Sequence, residues 1–223
     1  LPARLGARIA PLVGAAPDEI IVCDSTSVNI FKIAAAAARA RGERHRIVTE
    51  RGNFPTDPYM LQGLAALVPG LELVCVERDQ LKDSIDERTF LVVLTHVHYA
   101  TAEMFDLAAL TAQVQAKGAR VLWDLSHSVG AVPVDLAATG ADFAVGCSYK
   151  YLNGGPGAPA FMYVRRSLQA DLQPVLSGWL GHARPFDFID EYVPAAGMTR
   201  HRCGTPPVLA FAALEGALSA FEG

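Results

Sequence analysis

Lysine and cysteine are scarce in this sequence, and it contains no long apolar run. Among 223 residues there are only four cysteines. Cys23, Cys75, Cys147 and Cys203 lie far apart, with no metal-ligand or redox-pair spacing, so no metal site is expected and the thiols read as free in a reducing cytoplasm. Apolar stretches such as residues 34–38 and 90–94 fall far short of the roughly 18–20 residues a membrane-spanning helix needs. Positive charge is short as well, with 19 Lys and Arg against 23 Asp and Glu and a net charge of −4. Such a chain lacks the basic face that neutralises phosphates, so nucleic acid is not an expected partner. The opening Leu1-Pro2-Ala3-Arg4 has no basic leader followed by an apolar core, so no signal peptide is expected. There is no initiator Met, and a last helix over 207–221 stops at Glu222-Gly223. The chain reads as a piece of something longer.

What is present excludes disorder. With 51% of residues apolar and 19% charged, the composition is globular, and the length suits one large domain with a sizeable core. Apolar, β-branched segments alternate with amphipathic helical ones, the pattern of an α/β domain with a mostly parallel mixed sheet flanked by helices. Strands are predicted over 19–23, 46–49, 71–76, 89–94, 120–123, 142–146 and 160–164. Helices are predicted over 28–41, 58–67 and 106–117, the first and last ended by Gly42 and Gly118. Residues 176–207 read as a long loop rich in aromatics, Gly and Pro, and loops of that length are usually functional or interfacial. No repeat or linker divides the chain.

In open α/β sheets ligands sit beyond the carboxyl ends of strands, and four such places carry chemistry. Asp24-Ser25-Thr26-Ser27 gathers hydroxyls and free amides at a helix start, a seat for phosphate or a plain N-cap. Asp124 ends a strand ahead of Leu125-Ser126-His127, where it could pair with a protonated ring nitrogen or cap the next turn. Lys150 follows an apolar strand, between Tyr149 and Tyr151. A partly desolvated lysine can form a Schiff base with a carbonyl, although most lysines are simply solvated. The other three lysines have plainer explanations: Lys32 within a helix, Lys82 in a charged loop, Lys117 in a helix's last turn. Asn53-Phe54-Pro55-Thr56-Asp57 puts an aromatic ring and a carboxylate on a constrained turn, or is an ordinary loop with Phe54 in the core. Together, a phosphate cradle, an Asp for a pyridinium nitrogen, a Schiff-base lysine and a stacking ring point to pyridoxal 5'-phosphate.

Beyond these separate readings, the motifs resemble a known family. The stretch Asp24 to Lys32, Asn53-Phe54-Pro55-Thr56-Asp57, Trp123-Asp124-Leu125-Ser126-His127-Ser128, and Tyr149-Lys150-Tyr151-Leu152-Asn153-Gly154-Gly155-Pro156-Gly157 are similar to kynureninase, a fold-type I (aspartate aminotransferase-like) pyridoxal-phosphate enzyme. The likeness runs the whole length. It implies that residues 1–223 are the cofactor-binding large domain, without the N-terminal segment and the smaller C-terminal domain. It further implies that Lys150 is the Schiff-base lysine and base, with Tyr149, Thr26 and Ser27 as phosphate ligands. Phe54 would stack on the ring, Asp57, Thr95 and His127 would lie at the cofactor, and Asp124 would pair with its nitrogen. Trp179 and Thr205 would reach the phosphate from the other subunit of a homodimer. The implied reaction is hydrolysis of L-kynurenine or its 3-hydroxy form to an anthranilate and L-alanine.

Two residues depart from the family pattern, His98 where Asn is expected and Ala102 where Gly is expected. No residue maps onto the family's substrate-carboxylate arginine, for which Arg184, Arg200 and Arg202 are the substitutes at hand. Another enzyme of the same fold type, a cysteine desulfurase with Cys203 as nucleophile or an aminotransferase, is the competing reading. A catalytically silent cofactor-domain fragment is another. His45 and the Asp83, Asp86, Glu87 cluster read as solvated, and His182 and His201 as parts of the long loop.

Overall fold

A computed structural model of the chain describes residues 1–222. Gly223, where the sequence reading ends the domain, lies outside the described residues. Seven strands form one sheet: β1 (Ile20–Val22), β2 (Arg46–Glu50), β3 (Glu72–Val76), β4 (Thr89–Thr95), β5 (Arg120–Asp124), β6 (Phe143–Gly146) and β7 (Phe161–Val164). Their order is β1-β7-β6-β5-β4-β2-β3. The run from β3 to β6 is parallel, whereas β7 is antiparallel to both of its neighbours. The mostly parallel mixed sheet expected from the alternating pattern is thus the one formed.

Both faces of the sheet are covered. In β4 the whole strand is buried, and its side chains alternate: Val92 and Leu94 join one core cluster, Leu91 and Val93 the other. That is the period-two signature of a strand packed on both faces. Helices α1 (Pro2–Ile9), α4 (Leu107–Ala116) and α6 (Val208–Leu218) cover the first face with Leu5, Leu110 and Phe211. Helices α2 (Thr26–Arg39) and α3 (Thr56–Leu67) cover the second. The alanines at 34–38 of α2 are all buried there, their small side chains letting the helix lie close to the sheet. A short α5 (Leu136–Thr139) links β5 to β6.

The elements begin and end a little differently from the sequence reading, for local reasons. Helix α2 starts at Thr26, two residues before the predicted start, because the Ser25 side chain accepts from the Val28 amide at 3.3 Å and caps it. Strands β4 and β5 run one residue further, so Thr95 and Asp124 sit on the last strand positions. Helix α1 has no counterpart in the sequence reading. Residues 176–207 are irregular, apart from single 3-10 turns at Trp179–Gly181 and Gly197–His201.

After β4 the chain folds back on itself, with Val97 bridging Met104. The two departures from the family pattern fall in this turn, and each has a physical reading. The His98 Nδ1 accepts from the amides of Ala100 and Thr101 at 3.3 and 3.2 Å, the bonds an Asn side-chain oxygen makes in an Asx turn. The His98 Nε2 meanwhile reaches the Gly52 carbonyl at 2.9 Å. Ala102 has φ 59°, the left-handed region that favours glycine. Ala102→Gly should therefore stabilise the protein by about 0.5–1 kcal/mol, the left-handed penalty less the glycine entropy. Thermal unfolding measures this, and a lowered midpoint would contradict it.

Candidate active site

Since β6 to β2 run parallel, their carboxyl ends open on one edge, and the loops leaving them converge there. A cavity of about 130 Å³ at this edge is lined by Ser25, Thr26, Ser27, Phe54, Thr56, Asp57, Asp124, Ser126, His127, Cys147, Tyr149 and Lys150. Eight of the residues singled out in the sequence thus share one cleft: Thr26, Ser27, Phe54, Asp57, Asp124, His127, Tyr149 and Lys150. Lys150 is carried by a turn that needs unusual backbone. Asn153, Gly155 and Gly157 all have φ between 59° and 80°, and the Gly154 amide donates back to the Ser148 carbonyl at 2.9 Å. A Cβ on Gly154 would meet that same carbonyl oxygen at 2.9 Å, so the Asn-Gly-Gly-Pro-Gly run is a steric requirement of the turn.

Lys150 Nζ lies 2.6 Å from His127 Nε2 and 5.5 Å from the Phe54 and Tyr149 ring centroids. Burial, with Lys150 adding to it, pulls the His127 imidazole down to about 4, so the ring is neutral at neutral pH and accepts through Nε2. Its Nδ1 then carries the hydrogen, and that buried atom has no partner. Burial, and then the neighbouring Cys147, hold the Tyr149 phenol above its ordinary range, leaving it a neutral O–H donor.

Two carboxyl groups complete the wall. Asp124 is 3% exposed and accepts from the Ser126 amide at 2.8 Å, while Asp57 is 1% exposed. Thr95 stands behind the cavity. Its hydroxyl lies 3.3 Å from Asp57 Oδ2 and 2.5 Å from Asn53 Oδ1. Burial raises both carboxyls, and Asp57, repelled as well by Asp124, is pushed well above the ordinary carboxylate range.

The remaining candidates lie elsewhere. Thr205 lines a separate cavity of about 390 Å³ that shares Ser25 and Tyr149 with the first. Trp179 lines a third, beside Phe188 and Tyr192. Of the arginines, Arg200 is buried and spent on the carbonyls of Ala195, Gln169 and Ala170, so it is no free carboxylate ligand. Arg184 pairs with Asp187 at the surface, and Arg202 lines the Thr205 cavity. Cys203 lines that cavity too and donates to the Leu176 carbonyl at 3.3 Å. Among the described residues no group of three or more His, Cys, Asp and Glu could hold a metal ion, and no helix is long and apolar enough to cross a membrane.

Sequence reasoning missed two supports and misread a third residue. Asn53 holds Thr95 and its own turn, donating nothing through a buried Nδ2 but accepting from the Phe54 amide at 2.7 Å. Ser126 orients Asp124 through its amide and receives the Cys147 amide on Oγ at 3.1 Å. Lys32, taken for an ordinary helix lysine, is instead only 3% exposed and paired with Asp24. The signal was available: α2 is apolar on nearly every side, and such a helix is buried all round.

The seven-stranded mixed sheet flanked by helices has the fold of the fold-type I (aspartate aminotransferase-like) pyridoxal-phosphate enzymes. The chain belongs to the class V aminotransferase family, whose model matches residues 4–222. Within that family it is similar to kynureninases. It is 48% identical to the kynureninase of Deinococcus radiodurans, covering 99% of this chain and 54% of that protein. It is 49% identical to the kynureninase of Pseudomonas fluorescens, covering 98% and 54%. The chain thus spans about half the length of these curated relatives. Among solved structures it resembles cysteine desulfurases from Thermococcus onnurineus NA1 (TM-score 0.82, 21% identity, 99% of this chain and 56% of that one) and Escherichia coli (TM-score 0.84, 21% identity, 98% and 56%). At that identity the likeness concerns the fold alone.

The two carboxyls generate a pH dependence. Their folded-state pKa values lie above the unfolded one, so the stability they contribute is present below the ordinary value of 3.8 and is lost as pH rises through the raised values. Asp57→Asn keeps the shape and removes the ionisation. It should stabilise the cofactor-free protein more at mildly alkaline than at mildly acidic pH. Denaturant unfolding at the two pH values measures this, and an equal effect at both would contradict it.

Proposed function

We propose that this chain is the pyridoxal 5'-phosphate-binding large domain of a kynureninase. The reaction is hydrolysis of L-kynurenine, or its 3-hydroxy form, to anthranilate or 3-hydroxyanthranilate and L-alanine. The observation that carries the proposal is Lys150 Nζ held 2.6 Å from a neutral His127 in a cavity walled by two buried carboxyls. The near-48% identity to kynureninases supports it.

The residues present fit the cofactor. Burying two carboxyls in one small cavity is unfavourable unless a cation compensates them, and a protonated ring nitrogen would supply one, with Asp124 as its partner and Asp57 close by. Phe54 offers a face for the ring. The α2 start, with Thr26 and Ser27 and their backbone amides, suits the phosphate, together with the Tyr149 hydroxyl. Pyridoxal phosphate, when bound, supplies the electron sink that cleavage of the Cβ–Cγ bond requires.

The chain's own groups do the rest. Lys150 is the general base that takes the proton from the substrate Cα. His127 keeps Nζ in place, accepting a hydrogen bond from it through Nε2. Thr95 and Asn53 fix Asp57, and Ser126 fixes Asp124, so the carboxyl pair does not reorganise as charge develops.

The proposal includes a homodimer in a reducing cytoplasm. Trp179, Phe186 and Phe188 form an exposed aromatic cluster with ring centroids 5.9–6.4 Å apart. Phe186 and Phe188 are 73% and 77% exposed, a patch that suits a subunit interface. Trp179 lines no part of its own Lys150 cavity, as a residue serving the other subunit's site would not. All four cysteines are free, which suits a reducing compartment.

Lys150→Ala should abolish both the near-visible absorbance of the bound cofactor and the release of anthranilate from kynurenine. Anthranilate formed at the parent rate would overturn the assignment, and sulfide released from cysteine in its place would favour a desulfurase.

A further inference from the structure

Lys32 is a buried cation that the chemistry above does not use. It is 3% exposed in the interior of α2 and lines neither the Lys150 cavity nor the Thr205 cavity. Burying a lysine is costly unless its charge is matched and its hydrogens are placed. Here the charge is matched and two of the three hydrogens are placed: Nζ is ion-paired with Asp24 and donates to the His201 carbonyl at 2.6 Å. A residue needed only for packing would be a leucine or methionine.

Its two partners explain what it does. Asp24 has φ 47°, a left-handed conformation that Asp adopts more readily than most side-chain-bearing residues but still at a cost that its contacts offset. That residue forms the corner between β1 and the Ser25-Thr26-Ser27 helix start. The corner is exposed on one side and held from the other. Asn29, fully buried, donates to the Cys23 carbonyl at 2.9 Å. The backbone of Ala160 exchanges bonds of 2.9 Å with Cys23 and Asp24, and Lys32 grips the Asp24 side chain. Through His201 the same ammonium ties this corner to the 3-10 turn Gly197–His201, just ahead of Arg202 and Thr205.

We infer that Lys32 is the positioning residue of the phosphate cradle. It does not touch the ligand. It holds the Asp24 corner in its left-handed form and locks it to the 197–201 turn, so the amides and hydroxyls of Ser25, Thr26 and Ser27 converge on an anion before one arrives. Preorganisation of this kind raises affinity by removing ordering costs at binding. The inference rests on the cofactor reading above, and goes beyond it by naming a residue outside the cavity that acts on the phosphate alone.

Pyridoxal, which lacks the phosphate, separates this role from general packing. Titrating the cofactor-free protein with pyridoxal phosphate and with pyridoxal, followed by near-visible absorbance, gives both affinities. Lys32→Met should weaken pyridoxal phosphate on the order of tenfold or more, the size of one lost charge-assisted hydrogen bond, and leave pyridoxal unchanged. Lys32→Arg should restore part of the loss. The double variant Asp24→Asn with Lys32→Met leaves no buried charge unpaired, and it should show the same selective loss if the single variant fails to fold. Equal weakening of both ligands, or of neither, would overturn the positioning role while leaving the cofactor reading intact. A parent protein that binds neither ligand would overturn both.

Discussion

Two carboxyl groups in one buried pocket set the terms for the rest of this molecule. Asp124 ends the strand β5, and Asp57 opens the neighbouring helix α3. Burial alone pushes both toward the neutral form, and each makes the other worse. The fold manages the conflict by placing polar groups around them: the Ser126 amide donating to Asp124, the Thr95 hydroxyl 3.3 Å from Asp57, and Lys150 across the cavity. A protein that needed only stability would place apolar residues there. The sheet topology, with β7 reversed and the Gly-rich turn ahead of it, brings the Lys150 amine to the same pocket.

Much of this was legible in the sequence because it rests on local rules. The strand over residues 89–94 shows as an almost wholly apolar run, and β5 shows as four residues followed by a carboxylate. The Asn153 to Gly157 turn shows in its glycines, whereas the Ser25 cap starts α2 two residues before the expected position. The cluster of hydroxyls, ring, carboxylates and lysine was also readable, because all of them sit just beyond strand ends.

What the sequence hid depends on distance in space. Nothing near Lys32 in the chain announces His201, 169 residues away, so a buried clamp passed for an ordinary helix lysine. Arg200 looked available for a substrate carboxylate until three backbone carbonyls proved to occupy it. The His98 exchange departs from the family pattern, yet its ring nitrogen keeps the turn that an Asn side-chain oxygen would make. In each case the residue type was visible and its partner was not.

The central claim is that Lys150, alone among four lysines, holds the cofactor. Incubating the protein with pyridoxal 5'-phosphate, reducing with borohydride and mapping the peptides by mass spectrometry tests it directly, because reduction fixes the cofactor to whichever amine holds it. Stoichiometric label confined to Lys150 is the expected result. Label on Lys32, Lys82 or Lys117, or spread evenly among the amines, would contradict it.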